Sequence, residues 1–204
     1  MKYLVPISFL FLSWLAPLAH GNASESERLN RVIAAAIEAI YGDCCIDKTA
    51  AEKQAMVREV IEAEYDLDVI IRRAIGRSWR LMAIDEQDRV LELVKQLVVK
   101  AYVKGMNGKE RPLVEVGEAV PISEKRMEIP STVLLEGQAL NVLYRLGRMQ
   151  SGWQIYDIVT EDISVVSNYR EQIDDHFRKG TGEELIVKLE ELLSKEDIDE
   201  NIRI

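Results

Sequence analysis

The spacing of apolar residues changes twice along this chain, and this change constrains the fold more than any other feature. Between about residues 25 and 105, apolar residues recur every three or four positions, which is the period of one face of an α-helix. After Pro112 they alternate with polar residues, as in a half-buried β-strand, and the helical period returns near Ile163. The order predicts an α+β fold in which N-terminal and closing C-terminal helices cover one face of an antiparallel sheet.

The helical segments carry recognisable ends. Thr49 and Asp66 have side chains that cap helix N-termini, and Gly42 follows a predicted C-terminus. The pattern predicts helices over about residues 25–41, 49–65, 66–82, 85–104, 163–178 and 185–193.

The alternating segments predict a sheet of four strands. They lie near residues 114–116, 133–135, 140–146 and 153–159. Short separators rich in turn formers, such as Glu136-Gly137, favour a meander in which neighbouring strands are antiparallel. A parallel α/β arrangement does not fit this order.

The first 21 residues have the pattern of a secretory signal peptide. Lys2 precedes an apolar run from Leu4 to Leu15, and small residues follow around Ala19. The run is too short for a bilayer core of about 30 Å. We therefore expect residues 1–21 to be removed, residues 22–194 to form one exported, soluble domain, and the acidic residues 195–204 to be a solvated tail.

The charge of the chain limits its partners. The formal net charge is -9, and it becomes more negative when Lys2 leaves with the predicted signal peptide. Such acidity argues against nucleic acid and against binding to anionic membranes through bulk charge.

The sequence offers little catalytic chemistry. Beyond the predicted signal peptide it has one histidine, His176, on a polar segment, and it lacks nucleophile-elbow, phosphate-loop, dinucleotide and zinc-helix motifs. We expect no catalytic residue, no metal and no cofactor. Two alternatives stay open. One is a small-substrate enzyme on a cone-shaped α+β scaffold, in which burial makes Asp157 or a neighbouring acid a base, and the other is an adaptor that binds envelope proteins through an apolar patch.

The two cysteines of the chain are adjacent. Cys44 and Cys45 cannot form a C-x-x-C redox or metal pair. Two free thiols are the favoured interpretation, and a strained disulfide between neighbours or a bond to another chain are the alternatives.

Several short segments are typical of one family. They are Tyr144–Leu146, Gly152–Val159, Ile163–Val166, Asn168–Arg170 and, earlier in the chain, Asp66–Arg80. Together they resemble the MlaC family of periplasmic phospholipid-binding proteins, also called toluene-tolerance or ABC-transporter auxiliary components. Asp162 and Ile173 depart from the family pattern, which leaves a divergent branch such as the hopanoid-associated relatives open.

The resemblance implies a periplasmic carrier that is not an enzyme, with a phospholipid as cargo. It would move lipid between an outer-membrane lipoprotein/porin complex and an inner-membrane MCE-type ABC transporter, and so maintain outer-membrane lipid asymmetry. The acyl tails would lie in an apolar cavity between helices and sheet.

The apolar stripes supply candidate lipid-binding residues, each of which could also be plain core. They are Leu67, Ile70, Ile71, Ile75, Val90, Val94, Leu97, Val98, Leu140, Val142, Tyr144 and Ile155. A second stripe, Arg73, Arg77 and Arg80, stands out on an acidic protein. It could dock an acidic transporter surface or a lipid phosphate, or form internal salt bridges.

Overall fold

We describe the fold from a computed structural model of the chain, which covers residues 20–195, with side chains from residue 25 onward. The predicted signal peptide and acidic tail lie outside the described residues, apart from residues 20, 21 and 195.

The α+β prediction is confirmed, with two more strands than the four expected. The elements are α1 (His20–Tyr41), α2 (Ala50–Glu62), α3 (Leu67–Ile75), α4 (Ile84–Met106), β1 (Leu113–Val116), β2 (Val120–Ser123), β3 (Arg126–Leu135), β4 (Gln138–Met149), β5 (Gly152–Thr160), β6 (Ile163–Ser164), α5 (Val165–His176) and α6 (Gly182–Ser194). Short 3-10 helices span Asp43–Cys45 and Gly76–Leu81.

The additional strand structure lies where the alternating pattern is weak. All four residues of β2 are exposed and β6 has two residues, so neither shows a buried face in the sequence. The strand β3 begins at Arg126 rather than near Val133. Pro130 interrupts its pattern, since proline has no N–H to donate within a sheet.

The helix predicted to reach Met82 is wrong beyond Ile75. Asp66 caps α3 as expected, because its carboxylate accepts a hydrogen bond from the Asp68 backbone N–H at 2.9 Å. Gly76 then takes a φ of 62°, a left-handed conformation that ends the α-helix, and the chain continues as a 3-10 turn.

The sheet is antiparallel throughout, in the order β1-β3-β4-β5-β6, with β2 pairing a different part of β3. Its register places Ile129, Tyr144 and Ile158 side by side on one face, which we call the inner face. Their neighbours Glu128 and Arg145 lie on the opposite, outer face.

Three clusters of buried apolar side chains surround the middle of the molecule. Against the inner face, Leu29 of α1 packs with Met127, Ile129 and Leu146. A second core joins α4 to α6, with fully buried side chains at Val90, Leu93 and Leu185. A third cluster joins α1, α2 and α4, with Val57, Val99 and Val103 almost fully buried. Between these clusters the packing is incomplete.

Candidate functional site

An apolar cavity of about 290 Å³ lies between the helices and the inner face of the sheet, and we call it the first chamber. Four helices and four strands contribute to its wall. The lining is Leu29, Val32, Ile33, Ala36, Ile37, Val57, Ile61, Tyr65, Asp66, Leu67, Ile70, Val98, Val99, Tyr102, Met106, Pro112, Val114, Val133, Tyr144, Ile155 and Ile158.

A second chamber of about 150 Å³ adjoins the first. It lies between α3, α4, α5 and α6, and its wall includes Ala74, Val165, Tyr169 and Ile173. The residues that line both chambers are Leu67, Ile70, Val98 and Ile158. These four side chains therefore form the junction between two adjoining apolar chambers.

Val98 shows that this interior is hollow rather than filled. It lies on α4 among buried residues, yet 44% of it is exposed. In a close-packed core a valine in this position would touch neighbours on all sides. Val98 is instead accessible from the chambers that it lines.

Nine of the twelve candidate lipid-binding residues line a chamber. Tyr144 and Ile155 line the first, and Leu67, Ile70 and Val98 line both. Those that line only the second are Ile71, Ile75, Val94 and Leu97.

Three candidates lie elsewhere. Val90 is fully buried in the filled core with α6, and Leu140 and Val142 lie on β4 outside the lined part of the sheet. Their spacing matches that of the lining residues, so periodicity alone does not separate them.

Sequence reasoning missed the contribution of α1. Val32, Ile33, Ala36 and Ile37 belong to its apolar stripe and line the first chamber. The stripe was visible in the sequence, but its position against the sheet depends on contacts between distant segments.

Three tyrosines in the chamber walls remain neutral at physiological pH. Burial is the main cause that raises the pKa of Tyr65, Tyr102 and Tyr144 to about 12 each. Their phenol groups add polar atoms to the chamber walls without adding charge.

A polar pocket of about 590 Å³ adjoins the first chamber. Tyr65, Asp66 and Leu67 line both spaces. The cations of this pocket, among them Arg58 and Lys95, are all paired with carboxylates. The first chamber is therefore bordered at this point by a polar and nearly neutral surface.

Ion pairs tie the helices together beside that pocket. Arg58 of α2 donates two hydrogen bonds to Glu92 of α4, at 2.6 and 2.7 Å. This bidentate contact lowers the pKa of Glu92 to about 2. Lys95 reaches Asp68 at 2.7 Å and so joins α4 to the start of α3.

The three arginines predicted as one docking stripe are separated by the end of α3 at Gly76. Arg73 lies over the ring of Tyr156, with 4.5 Å between its guanidinium carbon and the ring centroid. Arg77 is paired with Asp174 at 3.3 Å, and Arg80 is exposed.

The carboxylate of Asp157 is held by hydrogen bonds that join neighbouring elements of the fold. It accepts hydrogen bonds from the Ser164 hydroxyl, the Val166 backbone N–H and Arg145. These contacts join β5 to the start of α5. Among the described residues, no group of three histidine, cysteine or acidic side chains is arranged to hold a metal ion.

The adjacent cysteines are free thiols with their sulfur atoms 3.1 Å apart. The hydrogen bond with Cys44 is the largest cause that raises the pKa of the Cys45 thiol, and burial adds to it. The pair lies in the turn between α1 and α2 and lines neither chamber.

The fold has known counterparts. The family model of the MlaC protein matches residues 30–191. The chain belongs to the MlaC family. A solved MlaC-type structure, described as the phospholipid-binding protein from Ralstonia solanacearum in complex with a phospholipid, superimposes with a TM-score of 0.70 at 19% sequence identity. The match covers 85% of this chain and 99% of that one, and at this identity it shows a shared fold.

Two further findings complete the comparison. No curated protein matches the sequence of this MlaC-family chain. None of the helices within residues 20–195 is both long enough and apolar enough to cross a membrane.

Proposed function

We propose that this MlaC-family protein is a phospholipid carrier that encloses acyl chains in the two chambers. The observation that carries the proposal is a pair of adjoining apolar spaces, about 290 and 150 Å³, inside an acidic domain. The phospholipid bound by the Ralstonia solanacearum protein of the same fold supports it.

Moving a phospholipid through water without a carrier has a large free-energy cost. Each methylene exposed to water costs about 0.8 kcal/mol, so two long acyl chains represent on the order of 20 kcal/mol. A lipid does not cross water quickly unless its tails are shielded.

The carrier must also release its cargo. Binding near the practical limit of affinity would prevent release, so the gain from burying the chains must be offset in part. The chambers suit this requirement, since side chains that border empty space make fewer contacts than those of a filled core and separate at a smaller cost.

The family suggests where the carrier works. We propose that it acts in the periplasm after loss of residues 1–21, between an outer-membrane lipoprotein/porin complex and an inner-membrane MCE-type ABC transporter. The signal-peptide pattern around Leu4–Leu15 supports this assignment.

Native mass spectrometry of the gently purified protein tests lipid binding. We expect a mass increment that matches one phospholipid, and solvent extraction should recover that lipid from the same sample. A protein that is always empty, and from which no lipid is extracted, would contradict the proposal.

We also propose that Arg77 and Arg80 contribute to partner docking. Both are exposed, and the ion pair of Arg77 with Asp174 adds little to stability, because 81% of the arginine side chain is in water. Reversing both charges to glutamate should slow lipid transfer to the partner membrane complexes without changing the melting temperature. Unchanged transfer by the folded variant removes the docking role.

A further inference from the structure

A second polar pocket, of about 350 Å³, lies on the outer face of the sheet where α3 and α5 approach β5. Its lining contains four arginines and two acids, on a chain whose formal net charge is -9. The arginines come from four different elements: Arg73 of α3, Arg126 of β3, Arg145 of β4 and Arg170 of α5. A local excess of positive charge on an acidic protein indicates an anion site.

The two acids of the pocket are already engaged. Arg145 donates to Glu128 at 3.0 Å and to Asp157 at 3.2 Å, and the Ser164 hydroxyl also donates to Asp157. Arg145 is thus the internal partner of the pocket's own carboxylates. The other three arginines remain for an external anion.

Those three arginines have no carboxylate within ion-pair distance among residues 25–195. The guanidinium carbons of Arg73 and Arg126 lie 4.5 and 6.0 Å from the centroid of the same ring, that of Tyr156. Arg170 donates from Nε to the carbonyl oxygen of Arg73 at 3.1 Å. These contacts hold the guanidinium groups beside one another while most of their N–H groups stay free.

We propose that this pocket binds a phosphate group. Guanidinium forks match the oxygens of phosphate in pairs, and Tyr156 and Ser167 place further hydroxyl groups in the pocket wall. Glu128 disfavours a segment with many carboxylates, because such a segment would bring several negative charges beside it. A single compact anion in a concave pocket avoids this repulsion.

The position of the pocket points to a lipid as the source of the phosphate. Val166 lines both this pocket and the second chamber, so one buried side chain separates the arginines from the apolar interior of that chamber. A phospholipid that enters or leaves the second chamber can place its phosphate among the arginines. This step rests on the proposed carrier function, whereas a free phosphorylated solute would supply the same chemistry without it.

Calorimetric titration with sn-glycerol 3-phosphate tests the site, on delipidated and on lipid-loaded protein. We expect binding to the delipidated protein that weakens as salt is added and falls about tenfold in Arg126→Gln. Glu128→Gln should tighten binding several-fold, because it removes a negative charge and releases Arg145. A merely structural role for these residues would not produce this opposite pair of effects.

The matched control is Arg31→Gln, which removes an exposed arginine of α1 outside the pocket and should leave the titration unchanged. Thermal unfolding of each variant shows that it is folded, and native mass spectrometry of the same samples reports their lipid content.

The two protein forms distinguish the sources of the phosphate. Binding that is lost in the lipid-loaded protein supports the lipid headgroup, and equal binding to both forms supports a free phosphorylated solute. No binding to delipidated protein, or equal binding by Arg126→Gln, overturns the phosphate site even if lipid is recovered. Binding of hexaglutamate without any binding of glycerol phosphate also overturns it, in favour of an acidic protein partner.

Discussion

Helix α4 has two apolar faces that the molecule uses in different ways. One face, with Val90 and Leu93, packs against α6, and both side chains are almost fully buried. The other, with Val94 and Val98, borders the chambers and leaves 44% of Val98 accessible. Neighbouring turns of α4 therefore contribute to a close-packed core and to the wall of a cavity.

This contrast shows how a small domain can be hollow and still fold. The filled core between α4 and α6 supplies stability through dense packing. The hollow side is held at its border by the buried cluster with Val57, Val99 and Val103, by the Arg58–Glu92 pair and by the sheet hydrogen bonds.

The largest expected difference is between two leucine truncations. Leu93→Ala in the filled core should lower the free energy of unfolding by about 3 kcal/mol, because it leaves a cavity that cannot collapse. Leu67→Ala, at the junction of the chambers, should cost about 1 kcal/mol or less, because its side chain already borders empty space. Urea denaturation measures both, and equal losses would mean that the two regions are packed alike.

Filling the chambers should reduce lipid binding and leave the stability of the fold nearly unchanged. Val98→Phe places a ring at the junction, so we expect lipid recovered per mole of protein to fall at least fivefold while the melting temperature changes little. Val187→Phe on α6 is the matched control, since Val187 is 50% exposed but lines neither chamber. Full lipid retention by a folded Val98→Phe protein would argue against the chambers as the lipid site.

The smallest effect concerns the ion pair on the hollow side. The pKa of Glu92 is lowered to about 2 in the folded protein, so its stabilisation is complete above its ordinary pKa of 4.5 and is lost as the pH falls through about 2. Glu92→Gln should therefore lower stability at pH 7, by about 0.5–1 kcal/mol after allowance for solvent screening.

The matched control is Glu190→Gln, which breaks the Arg89–Glu190 pair across the filled α4–α6 side. We expect it to cost less, because both partners of the Arg89–Glu190 pair are more exposed to solvent than those of the Arg58–Glu92 pair. Urea denaturation at pH 7, 4 and 2.5 should show the Glu92→Gln difference shrinking toward zero at the lowest pH. A difference that grows on acidification would contradict the assigned role of the pair.

Much of the fold could be predicted from the sequence because periodicity is a local property. The helices, the antiparallel sheet and the caps at Thr49 and Asp66 follow from residue type and spacing. The end of α3 at Gly76 was missed, because the apolar and arginine spacings continue through the glycine.

The candidate site could be predicted only in part. Val90, Val94 and Val98 recur at every fourth residue of the sequence, yet Val90 is core while the other two line chambers. What separates them is the position of α6, which depends on contacts across the fold. The arginine pocket was missed for the same reason, since its residues come from α3, β3, β4 and α5.

Methyl-based NMR tests the central claim most directly, because α4 carries valines in both environments. With valine methyl groups labelled in an otherwise deuterated protein, an acyl chain of bound protonated phospholipid should give nuclear Overhauser effects to Val94 and Val98 and none to Val90. Equal effects at all three valines, or none at Val94 and Val98 while lipid is bound, would contradict the placement of the chains in these chambers.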